Sequence, residues 1–519
     1  MQAKLRDFDE LGVLLCAGLP NETALKKFID TVAVMGYTTL WFDVSSFLYI
    51  DGEPEYCVST EKITRQQFGE MDAYCRARGR KRVPSVQTLG HMGHIAGNPA
   101  YADIIDRGEV LLVDEPRTYE FLDRLFGTLA ETFSSHEVNL GLDETHDLGL
   151  GKYLTRHGFC EEGALYMRHL HRLKELADKH GLKCNMWGDM LKKFKRDYNA
   201  GSKVCTRDYT LDMPDGITAY EWIYDIYPLE ELDEILDLFG NVKDLGYAVT
   251  AWNFTDFAAH NAYCIEGYKN HLEICRRRNI RKLVVTIWSD SGNEASLFSV
   301  LPALYACAAM ARGETDFDRF GAITGVPFDT FMLADLPNLN RSARSMNAKC
   351  RFYFYDDVLG GRYDELVSDG LRERYEQAAD TLAAADGGEY GYLFTTLEKL
   401  CRVLALKSAL GRDLKAAYRA GDRAALKDRR ADIPEILRRI DAFADAFRAQ
   451  WAHERRQLGY AVHAERIGRL KAALSYAYDL IGDYLAGRVS AIEAYDLPDV
   501  PKVRDSWCFQ GPPTDDNVL

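Results

Sequence analysis

One unit recurs from residue 12 to about residue 312: a short apolar run, a loop, then an amphipathic stretch. The strand-like runs are Gly12–Ala17, Thr38–Val44, Arg82–Gln87, Val138–Asp143, Lys183–Trp187, Ile217–Trp222, Ala248–Phe254 and Leu283–Trp288. Between and after them lie helical patterns at Thr23–Met35, Thr64–Arg78, Pro116–Phe133, Cys160–His180, Leu229–Phe239, Ala259–Arg278 and Ala295–Arg312. The link after the fifth run is the least regular. Short buried runs alternating with helices require a parallel sheet covered by helices. Eight such runs over about 300 residues predict an α/β fold, a (β/α)8 TIM barrel. A doubly wound sheet is the rival, but no GxGxxG follows the first run. The glycines of Gly149-Leu150-Gly151-Lys152 are not a P-loop either, because position 146 is His146.

Beyond residue 320 the pattern changes. Phe328–Asn340 reads as irregular, and from Ser342 proline is rare. Leu371–Ala385, Tyr392–Tyr418, Ile433–Leu458 and Val462–Arg488 carry apolar residues at i, i+3, i+4 spacing. The expectation is a barrel over residues 1–320 followed by an all-α C-terminal helical domain over 321–519. Its basic pairs, Arg429 with Arg430 and Arg455 with Arg456, read as solvated or paired with acids, and the tail from Trp507 reads as loosely held.

Composition bounds the partners. A net charge of −15 argues against general affinity for nucleic acid or anionic membrane. No run of about 18 apolar residues exists, so no membrane span is expected. The 12 cysteines are scattered, without a CxxC. They read as reduced and mostly buried, and with no apolar signal core at the start the expected location is cytoplasmic.

The chemistry gathers where strands end. The run Val138–Leu142 stops at two adjacent carboxylates, Asp143 and Glu144, followed by a loop with Gly149 and Gly151. Buried carboxylates are costly unless paired, hydrogen-bonded or neutralised. Two neighbours can be driven apart in pKa, one ionised and the other holding a proton to give. Four of the seven tryptophans, Trp187, Trp222, Trp252 and Trp288, close consecutive predicted strands. Barrel layers favour Val, Ile and Leu, so indoles at one rim suggest an aromatic-walled pocket, suited to the C–H face of a pyranose. His91, Asp189, Tyr220, Glu221, Tyr224, Asp290 and Glu294 accompany them. His91 and His94 with Asp143 could be drawn as metal ligands, but no HExxH occurs, and the expectation is no metal and no cofactor. No Gly-x-Ser-x-Gly supports a serine nucleophile.

Gly141-Leu-Asp-Glu-Thr-His-Asp-Leu-Gly-Leu-Gly-Lys-Tyr-Leu154, with Gln87-Thr-Leu-Gly-His91, Met186-Trp-Gly-Asp189, Ala251-Trp-Asn-Phe254 and Thr286-Ile-Trp-Ser-Asp-Ser-Gly-Asn-Glu-Ala-Ser296, resembles the family 20 glycoside hydrolases, the β-N-acetylhexosaminidases. The likeness is to the branch that begins with the barrel and carries a helical C-terminal domain. It implies retaining, substrate-assisted cleavage of a non-reducing terminal N-acetylhexosamine from an oligosaccharide or glycoconjugate. By that resemblance Asp143 orients the 2-acetamido group and Glu144 is the general acid–base. Trp187, Trp252 and Trp288 wall the pocket, Tyr220 or Tyr224 bonds the acetamido oxygen, and Asp290, with Glu294, reaches the outer hydroxyls. His91 and Trp222 complete the substrate-binding candidates.

Two departures matter. The first strand reads Val13-Leu-Leu-Cys-Ala-Gly-Leu-Pro20, without the arginine usual in the family, and the second ends Asp43-Val-Ser-Ser46. Both suggest shifted specificity, including toward N-acetylgalactosamine. Two other readings stay open: a retaining glycosidase with Glu221 or Asp290 as nucleophile, and a non-catalytic sugar-binding barrel. The helical domain could pack on the barrel, form a homodimer, or lend a residue to a partner's pocket.

Overall fold

A computed structural model describes residues 5, 7–16, 20–45, 47–57, 63–195, 212–339 and 349–498. Eight parallel strands close into a barrel: β1 (Glu10–Cys16), β2 (Thr39–Asp43), β3 (Lys81–Ser85), β4 (Glu137–Asn139), β5 (Lys183–Trp187), β6 (Ile217–Trp222), β7 (Leu245–Thr250) and β8 (Lys282–Ile287). Each strand pairs with its sequence neighbour, and β1 pairs with β8 to complete the ring. Helices α1 (Glu22–Met35), α2 (Arg65–Arg76), α3 (Pro116–Thr132), α4 (Glu162–Lys179), α5 (Asp189–Lys195), α6 (Leu229–Asp237), α7 (Asn261–Arg277) and α8 (Leu301–Ala311) follow the strands in turn. The barrel read from the sequence is therefore present. The short α5 fills the irregular fifth link, part of which lies outside the described residues.

Alternation along each strand divides the core in two. Leu11, Val13 and Leu15 of β1 face outward to the helices with Leu40 and Phe42 of β2. Leu14, Trp41, Val83, Trp187, Tyr220, Ala248 and Val284 face inward, one from each strand but β4. Three of those seven are large aromatics, so the barrel is plugged by rings where aliphatic layers are usual. Gly12 makes room for this: a Cβ there would stand 3.2 Å from the Trp41 indole nitrogen. Below the rings, Lys81 lies 3.0 Å from Glu10 and 2.9 Å from Glu137, closing the lower end with paired charges.

Beyond the barrel, the helices of seven or more residues among the described residues are α9 (Lys349–Tyr355), α10 (Leu371–Ala384), α11 (Gly391–Lys407), α12 (Leu410–Arg419), α13 (Arg423–Arg430), α14 (Ile433–Glu454) and α15 (Tyr460–Leu485). The stretch read as irregular is partly ordered, with a helix at Phe328–Met332 and a 3-10 turn at Leu333–Asp335. The helix expected over Tyr392–Tyr418 is broken at Ser408–Ala409. There the buried Lys407 directs its Nζ to the carbonyls of Tyr353, at 2.9 Å, and Asp356, at 2.7 Å. Helix α14 stops at Glu454, four residues before the sequence pattern does, because Arg455 is extended and bridges Pro20 beside β1. One continuous apolar cluster runs from the outer face of the barrel into α10, α11, α14 and α15. The tail from Trp507 and the first-strand residues Ala17–Leu19 lie outside the described residues, as does Ser46.

Candidate active site

At the carboxyl ends of the strands a cavity of about 410 Å³ opens. The two-residue period explains its lining. Inward positions above the aromatic plug form the top layer: Cys16 on β1, Asp43 on β2 and Trp222 on β6, one period beyond Leu14, Trp41 and Tyr220, and Trp252 and Trp288, two periods beyond Ala248 and Val284, just past β7 and β8. Gln87, His91, Asp143, Glu144, Tyr224 and Asp290 join them from the loops.

The acid pair is placed by an irregular backbone. Strand β4 ends at Asn139, and the expected run to Asp143 continues without strand structure. Gly141 (φ 72°), Leu142 (φ 75°) and Glu144 (φ 50°) are left-handed. For a leucine and a glutamate this conformation is strained, and such strain clusters at functional sites. It is held from outside. The Tyr166 hydroxyl donates to the Leu142 carbonyl at 3.1 Å, and the Glu144 N–H donates to Asp189 Oδ2 at 3.0 Å. The Gln87 amide donates to Asp143 Oδ1 at 3.2 Å.

His91 ties the two acids together. Its Nε2 lies 3.4 Å from Asp143 Oδ2 and 3.5 Å from Glu144 Oε2. Burial opposes a charge on the ring, but the hydrogen bond to Asp143 and the negative charges of Asp143, Glu144 and Glu109 outweigh it and push its pKa up to about 9. The ring is therefore held as an imidazolium beside Asp143 at neutral pH, with the Glu144 carboxyl on its other side. Asp43, half-buried and near Asp143, is raised by the protein around it, although Ser45 donates to its Oδ1 from both N–H, at 3.0 Å, and hydroxyl, at 2.9 Å. Asp290 is raised by the protein crowded around it and by the Glu144 charge, against the lowering pull of a charged His91.

The opposite wall is aromatic. Trp222 stacks on Tyr224 at 5.2 Å, Tyr224 meets Trp252 edge-on at 6.1 Å, and Trp252 lies parallel to Phe254 at 4.9 Å. Trp288 Nε1 donates to the Tyr224 hydroxyl at 2.8 Å. Burial holds that phenol well above its ordinary pKa, so it keeps a proton to donate.

Behind this cavity, residues 329–506 match the model of the Glycoside Hydrolase 20C C-terminal domain. The chain carries a glycoside hydrolase 20C C-terminal domain. The family 20 resemblance thus rests on both parts of the molecule, the strand-end motifs of the barrel and the helices behind them. A β-hexosaminidase of Vibrio furnissii is 32% identical over 111 residues, which is 18% of this chain and 18% of that protein. The chain thus matches under a fifth of the length of that curated relative. A crystal structure of a β-N-acetylhexosaminidase is 18% identical, covering 66% of this chain and 79% of that one at a TM-score of 0.46. The β-N-acetylhexosaminidase of Bacteroides fragilis is 14% identical, covering 61% and 68% at 0.46. The enzyme of Streptomyces plicatus with Thio-NAglucal is 17% identical, covering 63% and 67% at 0.45.

Four candidates stand apart from the cavity. Trp187 is fully buried in the plug, 5.6 Å under Trp288. The register explains it: Trp187 pairs with Tyr220, one layer below Trp222. Tyr220 is in the same lower layer, 5.0 Å from Trp41, which leaves Tyr224 as the tyrosine that lines the cavity. Glu221 points outward, fully buried and ion-paired with Lys192, so it does not line the cavity in which a nucleophile would act. Glu294 is fully buried between Arg351, at 3.2 Å, and Arg466, at 3.0 Å, facing the helical domain and not the cavity. Asp189 supports the pair from behind. Burial and the Asp143 charge push it up to about 7. His94 is half-buried against Tyr56, and no group of three metal-ligating side chains occurs among the described residues. The reading of the residues passed over Cys16, Asp43, Gln87, Phe254 and Thr255 as cavity lining. For Cys16 and Asp43 the signal was available, since each is the last inward position of its strand.

Proposed function

We propose that this chain is an exo-acting retaining β-N-acetylhexosaminidase working by substrate-assisted catalysis. One observation carries the reading: adjacent acids, bridged by a charged histidine, face a wall of indoles and one protonated tyrosine across a cavity sized for a small ligand. A pyranose packs its C–H face on Trp222, Trp252 and Trp288. Its 2-acetamido oxygen attacks C1 as the glycosidic bond breaks, giving an oxazolinium ion. Asp143, fixed by Gln87 and His91, accepts from the acetamido N–H and stabilises the positive charge that develops. Tyr224 donates to the acetamido oxygen and aims it. Glu144, the more open of the pair at 41% exposure against 14%, protonates the departing oxygen and then takes a proton from water. Asp290 and Asp43 accept from outer hydroxyls, and with no arginine on the first strand the site takes N-acetylglucosamine, N-acetylgalactosamine or both.

The test is a titration with N-acetylglucosamine-thiazoline beside its galacto epimer, which mimic the oxazolinium ion. Tight competitive inhibition by one or both is expected, the tighter naming the preferred sugar. Cleavage of an aryl β-glycoside lacking the acetamido group at a comparable rate would overturn the mechanism and point to a carboxylate nucleophile.

A further inference from the structure

The loop that follows β8 forms one side of the cavity through Trp288, Ser289 and Asp290. Further along the same loop, each of the residues from Asn293 to Leu297 is fastened to the helical domain. Arg455 Nη2 donates to Asn293 Oδ1 at 3.3 Å and to the Ala295 carbonyl at 3.0 Å. Glu294 is held by Arg351 and Arg466, and its carbonyl accepts from Gln450 at 3.4 Å. Glu454 takes the Ser296 hydroxyl on one oxygen and the Leu297 N–H, at 2.7 Å, on the other. Its first oxygen also accepts from Tyr392 at 2.7 Å.

Two further observations tie this anchorage to the site. The loop turns through left-handed residues, Gly292 (φ 110°) and Asn293 (φ 58°), and a Cβ at Gly292 would stand 3.1 Å from the His463 ring. Such a turn in a non-glycine residue persists where surroundings hold it. The same end of α14 also binds the segment after β1: Asn21 N–H donates to the Glu454 carbonyl at 3.0 Å, and Arg455 bridges Pro20. Glu454 and Arg455 thus sit where the segment after β1 meets the loop after β8.

We infer that Arg455 and Glu454 are positioning residues: through them the helical domain sets the β8 loop, and with it the grip of Asp290 and Trp288 on the sugar. The inference rests on the hexosaminidase reading for its kinetic arm only. Both residues are buried and outside the cavity lining, so they act through the loop.

The test compares the full chain with Arg455→Met, which keeps bulk and removes the donors, with Arg455→Lys, which restores one, and with Glu454→Gln. On p-nitrophenyl N-acetyl-β-glucosaminide, Arg455→Met is expected to raise KM about tenfold with kcat within about threefold, and Arg455→Lys to recover part of it. Amide hydrogen exchange is expected to quicken in residues 289–297 of Arg455→Met and Glu454→Gln while β2 to β5 stay as protected as before. Unchanged KM with unchanged exchange in the loop would overturn the inference. So would exchange that quickens evenly through barrel and helices, which marks a general loss of stability. If the unaltered chain cleaves neither this glycoside nor its galacto epimer, the hexosaminidase reading falls while the exchange arm still decides the loop's anchorage.

Discussion

Glu144 and His91 share one contact and have separable roles. Glu144→Gln keeps the shape and removes the transferable proton. General acid catalysis supplies about 10²–10⁴ in rate. A fall of about that size in kcat/KM is expected for an oligosaccharide with a poor leaving group, and a smaller one for a p-nitrophenyl glycoside; equal losses on both would remove Glu144 from the acid role. His91 governs pH dependence. Its folded pKa, near 9, is above the ordinary value of 6.5. The stability gained by charging it is therefore fully present below pH 6.5 and is lost as pH climbs through 9. Since the ring is 39% exposed, solvent screening trims the effect. The gap in Tm between the chain and His91→Asn is expected to be steady in acid and to close in this alkaline window; a gap that widened there would reverse the sign and refute the bridge.

At the scale of elements, the decisive piece is the short strand β4 and the left-handed turn after it. The sequence reads Val138–Asp143 as one apolar run, and burial of that run is real, but apolarity carries no information on φ. Gly141 shows why the strand stops. A Cβ there would stand 2.7 Å from the Val86 carbonyl and crowd the Gln87 amide that fixes Asp143. Gly141→Ala is expected to cost about 1–3 kcal/mol in urea unfolding and to lower kcat together with stability. An alanine variant of full stability and activity would mean that the turn is not required. Trp187 teaches the same lesson in another form. It closes its strand in the sequence as Trp222 closes the next, and only the stagger between neighbours, Trp187 against Tyr220, puts it a layer lower.

Across the whole molecule, the barrel and the helices behind it share one core. Phe298, on the loop before α8, stands 5.4 Å from Tyr390, and Phe257, on the loop after β7, stands 5.3 Å from Phe443 of α14. A chain cut after residue 320 is expected to be insoluble or partly unfolded, as read by near-UV circular dichroism and aggregation, because it bares that face. A soluble, cooperative 1–320 fragment would contradict the shared core. Glu294 joins the same parts by charge. Glu294→Gln leaves the buried Arg351 and the half-buried Arg466 beside an uncharged amide, a change expected to cost about 3–5 kcal/mol in unfolding free energy. No helix among the described residues is long and apolar enough to cross a membrane.

The order of strands and helices, the acid pair at a strand end and the aromatic rim were legible from the chain alone. Each depends on local periodicity, on which residue follows which. Whether a strand-end residue faces the cavity was not legible, because that depends on the shear between strands, which no single strand contains. The fates of Glu221 and Glu294 were hidden for a related reason. A buried carboxylate goes where its counter-charge is, and for Glu294 the partners Arg351 and Arg466 come from helices more than 50 residues further along the chain, brought near only by folding.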